Sequence, residues 1–247
     1  DNTQAAQAPT ADVPKGDQYA TRHNPFMYFH SVIDDQAYCD AHDVNLDAHL
    51  PRDLQSIETT PHFSFITPNL CDDGHDGDGT GKKTCANGAP GGLTSIDAFL
   101  KKWIPLIQAS PAYRKDGLII INFDESGDMI VTGKHTVDGV TTVSLDLPGA
   151  ACCGQQVGPN VTRPDEAVIP ASAKLHYKFH YIGVGGDRTG AVLLSPFIAP
   201  GTVSDTPYNH YSLLRSLEDI FGTRGYLGYA DDPKLVTLGA DMFTRRP

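Results

Sequence analysis

The sequence predicts an α/β fold, a mostly parallel sheet flanked by helices and carrying a β-rich insertion. Two observations predict it. Short apolar runs rich in β-branched and aromatic residues recur between breakers at 62–67, 117–123 and 191–197, and each reads as a buried strand. Helical periodicity lies among them: in 94–110, Ile96, Phe99, Leu100, Trp103, Ile104 and Ile107 form one stripe, with Thr94 or Ser95 as N-cap and Pro111 just beyond the end. A second helix is expected over 210–221, where Leu213, Leu214, Leu217 and Ile220 recur at helical spacing and Gly222 supplies the stop. Strands alternating with helices imply a sheet covered on both faces.

The remaining stretches frame this core. Residues 1–18 are rich in Asp, Gln, Ala, Thr and Pro, show no period that buries a face, and read as a flexible N-terminal segment. Residues 19–247 read as a single domain; a chain of this size buries roughly 70–75% of its unfolded surface. From about 126 to 190 the texture changes to scattered Gly, Pro, Thr and Asp with short alternating stretches at 141–147 and 175–184, which predicts an insertion built of a β-hairpin and loops.

Composition excludes several classes of partner. With 19 Lys and Arg against 30 Asp and Glu, the formal net charge is −11, which opposes binding to nucleic acid or to an anionic lipid surface. The longest apolar runs, 117–123 and 190–199, fall well short of the roughly 20 residues a membrane-spanning helix needs. No cationic-then-apolar leader opens the sequence, so any secretion signal is expected to have been removed or to lie upstream.

Five cysteines, Cys39, Cys71, Cys85, Cys152 and Cys153, lie among loop-forming residues rather than in paired zinc-binding spacings, which favours disulfides and an exported protein, secreted or periplasmic. Cys71 and Cys85 bracket a Gly- and Asp-rich loop with almost nothing apolar to hold it, and a bridge between them is expected. The adjacent Cys152 and Cys153 fit either a bridge or buried thiols. One cysteine remains odd in every scheme; Cys39 is expected to lack a partner within this chain.

Three segments can carry chemistry. The run Gly-Leu-Ile-Ile-Ile-Asn-Phe-Asp-Glu ends a strand in Asp124 and Glu125, where ligands of open α/β sheets sit. Adjacent carboxylates repel unless a cation lies between them or one takes a proton, so a hard divalent metal is one reading and a solvated turn the other. The run Thr67-Pro68-Asn69-Leu70-Cys71-Asp72-Asp73-Gly74-His75-Asp76 follows another expected strand and brings Asn69, Asp73 and His75 toward a site. His75 can coordinate a metal, bind a phosphate oxygen or protonate a leaving group. In Tyr208-Asn209-His210-Tyr211-Ser212, Asn209 caps the last helix, and His210 is either structural or a site residue. Asn160-Val161-Thr162 fits a glycosylation acceptor.

Together with Tyr19-Ala20-Thr21-Arg22-His23-Asn24-Pro25-Phe26, Ser195-Pro196-Phe197, Pro200-Gly201-Thr202 and Glu218-Asp219-Ile220-Phe221-Gly222, these ordered motifs resemble the bacterial phosphoesterase family of secreted acid phosphatases and phospholipases C, over residues 19–230. The resemblance implies an alkaline phosphatase-like core and metal-dependent hydrolysis of phosphate esters. It places Asp124 and Glu125 as metal ligands and His75 as the catalytic histidine lining the phosphate site; Asn69, Asp73 and His210 are expected to bind substrate. Family members begin with a strand leading to a Glu-Asn pair and a Ser or Thr nucleophile segment, and nothing before Tyr19 matches these. The chain is therefore expected to be the C-terminal portion of such an enzyme, inactive alone, with an N-terminal companion segment as partner. A sulfatase-like hydrolase is a second enzyme reading, and a non-catalytic secreted binding or assembly module on the same scaffold is the alternative.

Overall fold

The computed structural model describes residues 18–85, 87–127, 129–158 and 164–245; nearly all of the N-terminal segment and the Asn160-Val161-Thr162 tripeptide lie outside them. The chain divides into two compact units, Asp1–Gly117 and Leu118–Pro247.

The first unit is helical. Two 3₁₀ turns, Thr21–His23 and Pro25–Tyr28, precede α1 (His30–Ile33), α2 (Gln36–His42), α3 (Leu46–Asp53), α4 (Gly92–Ala109) and α5 (Pro111–Asp116). Leu50 and Leu54 pack with Trp103, joined by Leu46, Ile66, Phe99 and Ile107. Phe99, Trp103 and Ile107 belong to the stripe expected of α4, and their i, i+4 spacing is what aims them at one face. The N-cap is Gly91, three residues before Thr94, the earlier of the expected hydroxyl caps. Gly91 adopts a left-handed φ of 68°, and its N–H is donated to Ser95 Oγ at 2.9 Å. Pro111 does not merely stop α4; it opens α5, with Ser110 Oγ accepting from the Tyr113 N–H, the position a helix tolerates proline best.

The strand expected over 62–67 does not form. Ile66 joins the core, but Phe63 and Phe65 are 45% and 55% exposed, and among the described residues the segment has no ladder partner. Strand propensity reflects fit to a pleated, paired surface, and outside a ladder the run stays irregular.

The second unit holds both sheets. β1 (Ile119–Asn122) pairs with β6 (Ala191–Leu194) in register Ile119↔Leu194 to Asn122↔Ala191. This pairing is antiparallel, so the expectation of a mostly parallel sheet is corrected. The chain leaving β1 does not return through a helical crossover, as a parallel neighbour requires; it passes through the insertion and re-enters from the opposite end. β6 stops before Ser195-Pro196, where proline has no N–H for a ladder. The insertion forms two hairpins rather than one. β2 (Ile130–Val137) and β3 (Val140–Leu147) turn at Asp138-Gly139, both at positive φ, as the twist of a two-residue hairpin turn demands. β4 (Glu166–Ser172) and β5 (Leu175–Tyr181) form the second hairpin, and β3 joins β5 in parallel, giving the order β2-β3-β5-β4.

The last helix, α6 (His210–Phe221), has the bounds the sequence predicts. Asn209 and Ser212 form a reciprocal capping box, and Gly222 ends the helix at φ 62°. Its most buried residues are polar, however. Ser216 Oγ donates to the Ser212 carbonyl and accepts from Leu238 N–H, and Glu218 Oε1 accepts from Leu227 N–H at 2.9 Å. Ile220 is 60% exposed. The irregular chain after α6 needs acceptors for its N–H groups, and these side chains supply them. Among the described residues the fold is thus mixed α/β with small sheets, and no helix is long and apolar enough to cross a membrane.

Candidate functional site

The expected site residues are divided between the units, Asn69, Asp73 and His75 in the first and Asp124, Glu125 and His210 in the second. In the first, the loop after residue 67 is built around Asn69. Its Oδ1 accepts from Cys71 N–H at 2.8 Å, its Nδ2 donates to Asp72 at 2.9 Å, and its carbonyl accepts from the N–H groups of Asp72 and Asp73. The Asn69 amide is thereby committed to shaping the loop. The expected bridge Cys71–Cys85 is present, with both cysteines buried.

Asp73 is a partly buried acid of this loop. Its Oδ1 accepts from His75 N–H at 2.9 Å, and its Oδ2 lies 3.8 Å from His23 Nδ1. Burial pushes the Asp73 carboxyl above the usual carboxylate range, partly offset by the His75 N–H and by the nearby His23 and His75. His75 itself is 87% exposed, with Nδ1 2.9 Å from Asp76 Oδ1. A carboxylate on Nδ1 fixes the tautomer and leaves Nε2 facing outward. Directly behind, the backbones at Gly77 and Gly91 touch: a Cβ at Gly91 would sit 1.8 Å from the Asp76 carbonyl oxygen. His23 is the residue sequence reasoning did not assign. Its only signal is its place in the Tyr-Ala-Thr-Arg-His-Asn-Pro run, because its partner Asp73 is fifty positions away in the chain.

In the second unit, Asp124 and Glu125 leave the end of β1. Asp124 Oδ1 accepts the Glu125 N–H at 3.0 Å, and the Asp124 carbonyl accepts from His210 Nε2 at 2.8 Å. The capped start of α6 thus delivers His210 directly to the acid pair. A second loop supports the pair from behind: Ser126 N–H donates to the Gly186 carbonyl at 2.9 Å, and a Cβ on Gly186 would lie 2.8 Å from Glu125 Cβ. Asp187 then accepts from Ala150 N–H at 2.6 Å, tying in the loop that carries the cysteine pair. Gly186 and Ser126 were not legible as site residues, since both act through backbone contact.

The fit of the acid pair to a metal is partial. Among the described residues no group of three or more His, Cys, Asp and Glu side chains is arranged to hold a metal ion. Asp124 and Glu125 offer two carboxylates, too few to close the shell of a hard cation unaided. The four-stranded sheet carries a different polar cluster, with Asp146 3.2 Å from His180 and Glu166 2.9 Å from Lys178, both pairs running across neighbouring strands.

A family model described as the phosphoesterase family matches residues 3–224. The phosphate-repressible acid phosphatase of Penicillium chrysogenum is 31% identical over 117 residues, a match covering 44% of this chain and 22% of that protein. The chain thus spans about a fifth of that relative's length. No solved structure matches it.

Proposed function

The chain belongs to the phosphoesterase family, and on that premise we propose that it serves the hydrolysis of phosphate esters, of acid phosphatase or phospholipase C type, on an alkaline phosphatase-like core. The observation that carries the reading is the contact of His210 Nε2 with the Asp124 main-chain carbonyl at 2.8 Å, which brings a histidine to the strand end that bears the two acids.

Asp124 and Glu125 supply two oxygen ligands to a divalent metal whose remaining ligands lie elsewhere than among the described side chains. His210 contacts a phosphate oxygen while its Nε2–H is held by the Asp124 carbonyl. His75, oriented by Asp76, presents Nε2 to bind phosphate when protonated or to give a proton to the leaving oxygen. Asp73, with its raised affinity for a proton, and Asn69 hold that loop in place. Completion of the site by a further segment, and activity only with that segment, belong to the same proposal. Two disulfides accord with an oxidising compartment, so the protein is secreted or periplasmic.

The test uses the protein that carries this sequence as its host makes it, assayed on a generic aryl phosphate. Asp124→Asn keeps the shape, the backbone contact with His210 and an acceptor for the Glu125 N–H, but removes one charge. Turnover should fall by roughly 10²–10³ with folding unaffected, and His75→Ala should cost about 10²–10⁴. Chelator should abolish turnover and a divalent cation restore it. Wild-type rates for Asp124→Asn would remove the acid pair from the mechanism, and indifference to chelator would remove the metal.

A further inference from the structure

Cys152 and Cys153 are bonded to each other, and the ring they close lies against the strap that leads into α6. Cys152 Sγ is 3.4 Å from the Tyr208 carbonyl oxygen and Cys153 Sγ is 3.2 Å from that of Pro207. The strap is held at the same point by other contacts: Tyr208 Oη donates to Asp241 at 2.7 Å, and Ser204 Oγ donates to the same carboxylate oxygen. One residue on, Asn209 caps α6, and the next residue is His210 on Asp124. The loop of the cysteine pair is tied independently to the acid pair through Ala150, Asp187, Gly186 and Ser126. The pair therefore touches the strap that sets His210, and its loop is tied to the acid pair.

We propose that the Cys152–Cys153 bond is a redox-sensitive positioning element for His210, holding the strap at 207–208 so that α6 begins with its histidine against the Asp124 carbonyl. The inference rests on the reading of His210 as part of the phosphate-ester site. A bridge between neighbours fixes both side chains and the peptide between them in one small ring. In that state the sulfurs carry no proton, and their approach to the two carbonyls is a contact of packed atoms whose position the ring dictates.

Reduction by a small dithiol breaks the sulfur–sulfur bond and adds two electrons and two protons, leaving two thiols while the dithiol closes to its own disulfide. Each thiol then gains a rotor and a weak S–H donor. The freed rotors outweigh so weak a bond, so the strap loosens and the His210–Asp124 contact loses its fixed geometry. Accessibility makes the reaction selective. Cys152 and Cys153 are exposed, whereas Cys71 and Cys85 are 0% and 5% exposed, and exchange requires a thiolate to reach a sulfur.

The experiment follows the His210 imidazole nitrogen signals and the hydrogen exchange of amides 209–213 in the unmodified protein, before and after titration with dithiothreitol, with peptide mapping to show which bridge has opened. Opening of the exposed bridge alone should shift the His210 signals and speed exchange of those amides by about tenfold. Reoxidation should restore both. Cys152→Ala/Cys153→Ala should show the loosened signature at the outset and no response to reductant. Unchanged His210 signals after the bridge has opened would overturn the proposal, as would finding the two cysteines as free thiols or refractory to dithiol in the protein as made. Aryl-phosphate turnover is read in parallel on the protein as its host makes it, further segment included: its absence from that oxidised protein would count against the hydrolase reading, whereas the His210 signals, taken without substrate, decide the positioning role alone.

Discussion

Cys71→Ala/Cys85→Ala removes the one covalent tie on the loop that carries His75. The two cysteines are 14 positions apart, so the bridge closes a loop of about 15 residues, and the entropy it removes from the unfolded chain is worth about 3 kcal/mol at 25 °C. Deleting two buried sulfurs adds a packing loss on the order of 1 kcal/mol. Against a typical total of roughly 5–15 kcal/mol, this is a large fraction, yet the loop should keep its local form. Asp78 accepts from the N–H groups of Thr80 and Lys83 at 2.9 and 3.1 Å, and Gly77 is bridged to Gly91, none of which needs the sulfurs. Trp103, the single tryptophan, lies in the core of the same unit and reports its unfolding by fluorescence. In urea the variant should lose about 3–4 kcal/mol with a steeper transition, because its unfolded state is no longer closed and exposes more surface. A loss under about 1 kcal/mol with an unchanged slope would refute the reasoning.

Three further outcomes are expected. Gly91→Ala places a Cβ 1.8 Å from the Asp76 carbonyl at a φ of 68°, so it should cost at least about 2 kcal/mol and speed hydrogen exchange of the His75 loop; a crystal structure with the loop unmoved would contradict this. Glu218 has one buried oxygen without a partner among the described residues, so Glu218→Gln, which keeps an acceptor for Leu227 N–H and removes a desolvated charge, should leave stability unchanged or raise it by about 1 kcal/mol. A clear loss in urea melts would reveal a partner for that oxygen. Burial first, and then the Asp241 carboxylate, push Tyr208 from 10.0 up to about 12. A raised phenol stabilises the fold fully below its unfolded value and loses that contribution as pH climbs through the folded one. The melting temperature should therefore drop more between pH 10 and 12 than in Tyr208→Phe, and equal drops would remove Tyr208 as the cause.

The parts of the fold that sequence predicts well are those fixed within a dozen residues. The bounds of α6 follow from Asn209 and Gly222, and the buried face of α4 from Phe99, Trp103 and Ile107. Pairing is different in kind. The run 62–67 has every local mark of a strand, yet a strand exists only with a neighbour, and no hydrophobic count in that segment states whether one is present. Direction has the same origin: β1 and β6 look like members of a parallel sheet until the path between them is known, and that path is set by the two hairpins of 130–181.

The candidate site divides along the same line. Its acids were legible because each follows an apolar run that ends abruptly, a pattern contained in a few residues. What the sequence does not state is the histidine brought beside each from far away: His23 beside Asp73 in one unit, and His210, 86 positions from Asp124, in the other. The sequence left His210 open between cap and site because its place in the first turn of α6 explains its presence without any partner. The hydrogen bond to the Asp124 carbonyl sets it at the end of β1. That bond uses the backbone of Asp124 and leaves its carboxylate unengaged by the imidazole, so the histidine fixes where the strand end sits without neutralising it. Changing the charge at Asp124 and changing the placement of His210 are consequently separable perturbations. Asp124→Asn should lower turnover with the His210 signals in place, whereas opening Cys152–Cys153 should move those signals with every carboxylate intact. A variant or treatment that always changed both together would mean that the imidazole and the carboxylate act as one ion pair, contrary to the contact seen here.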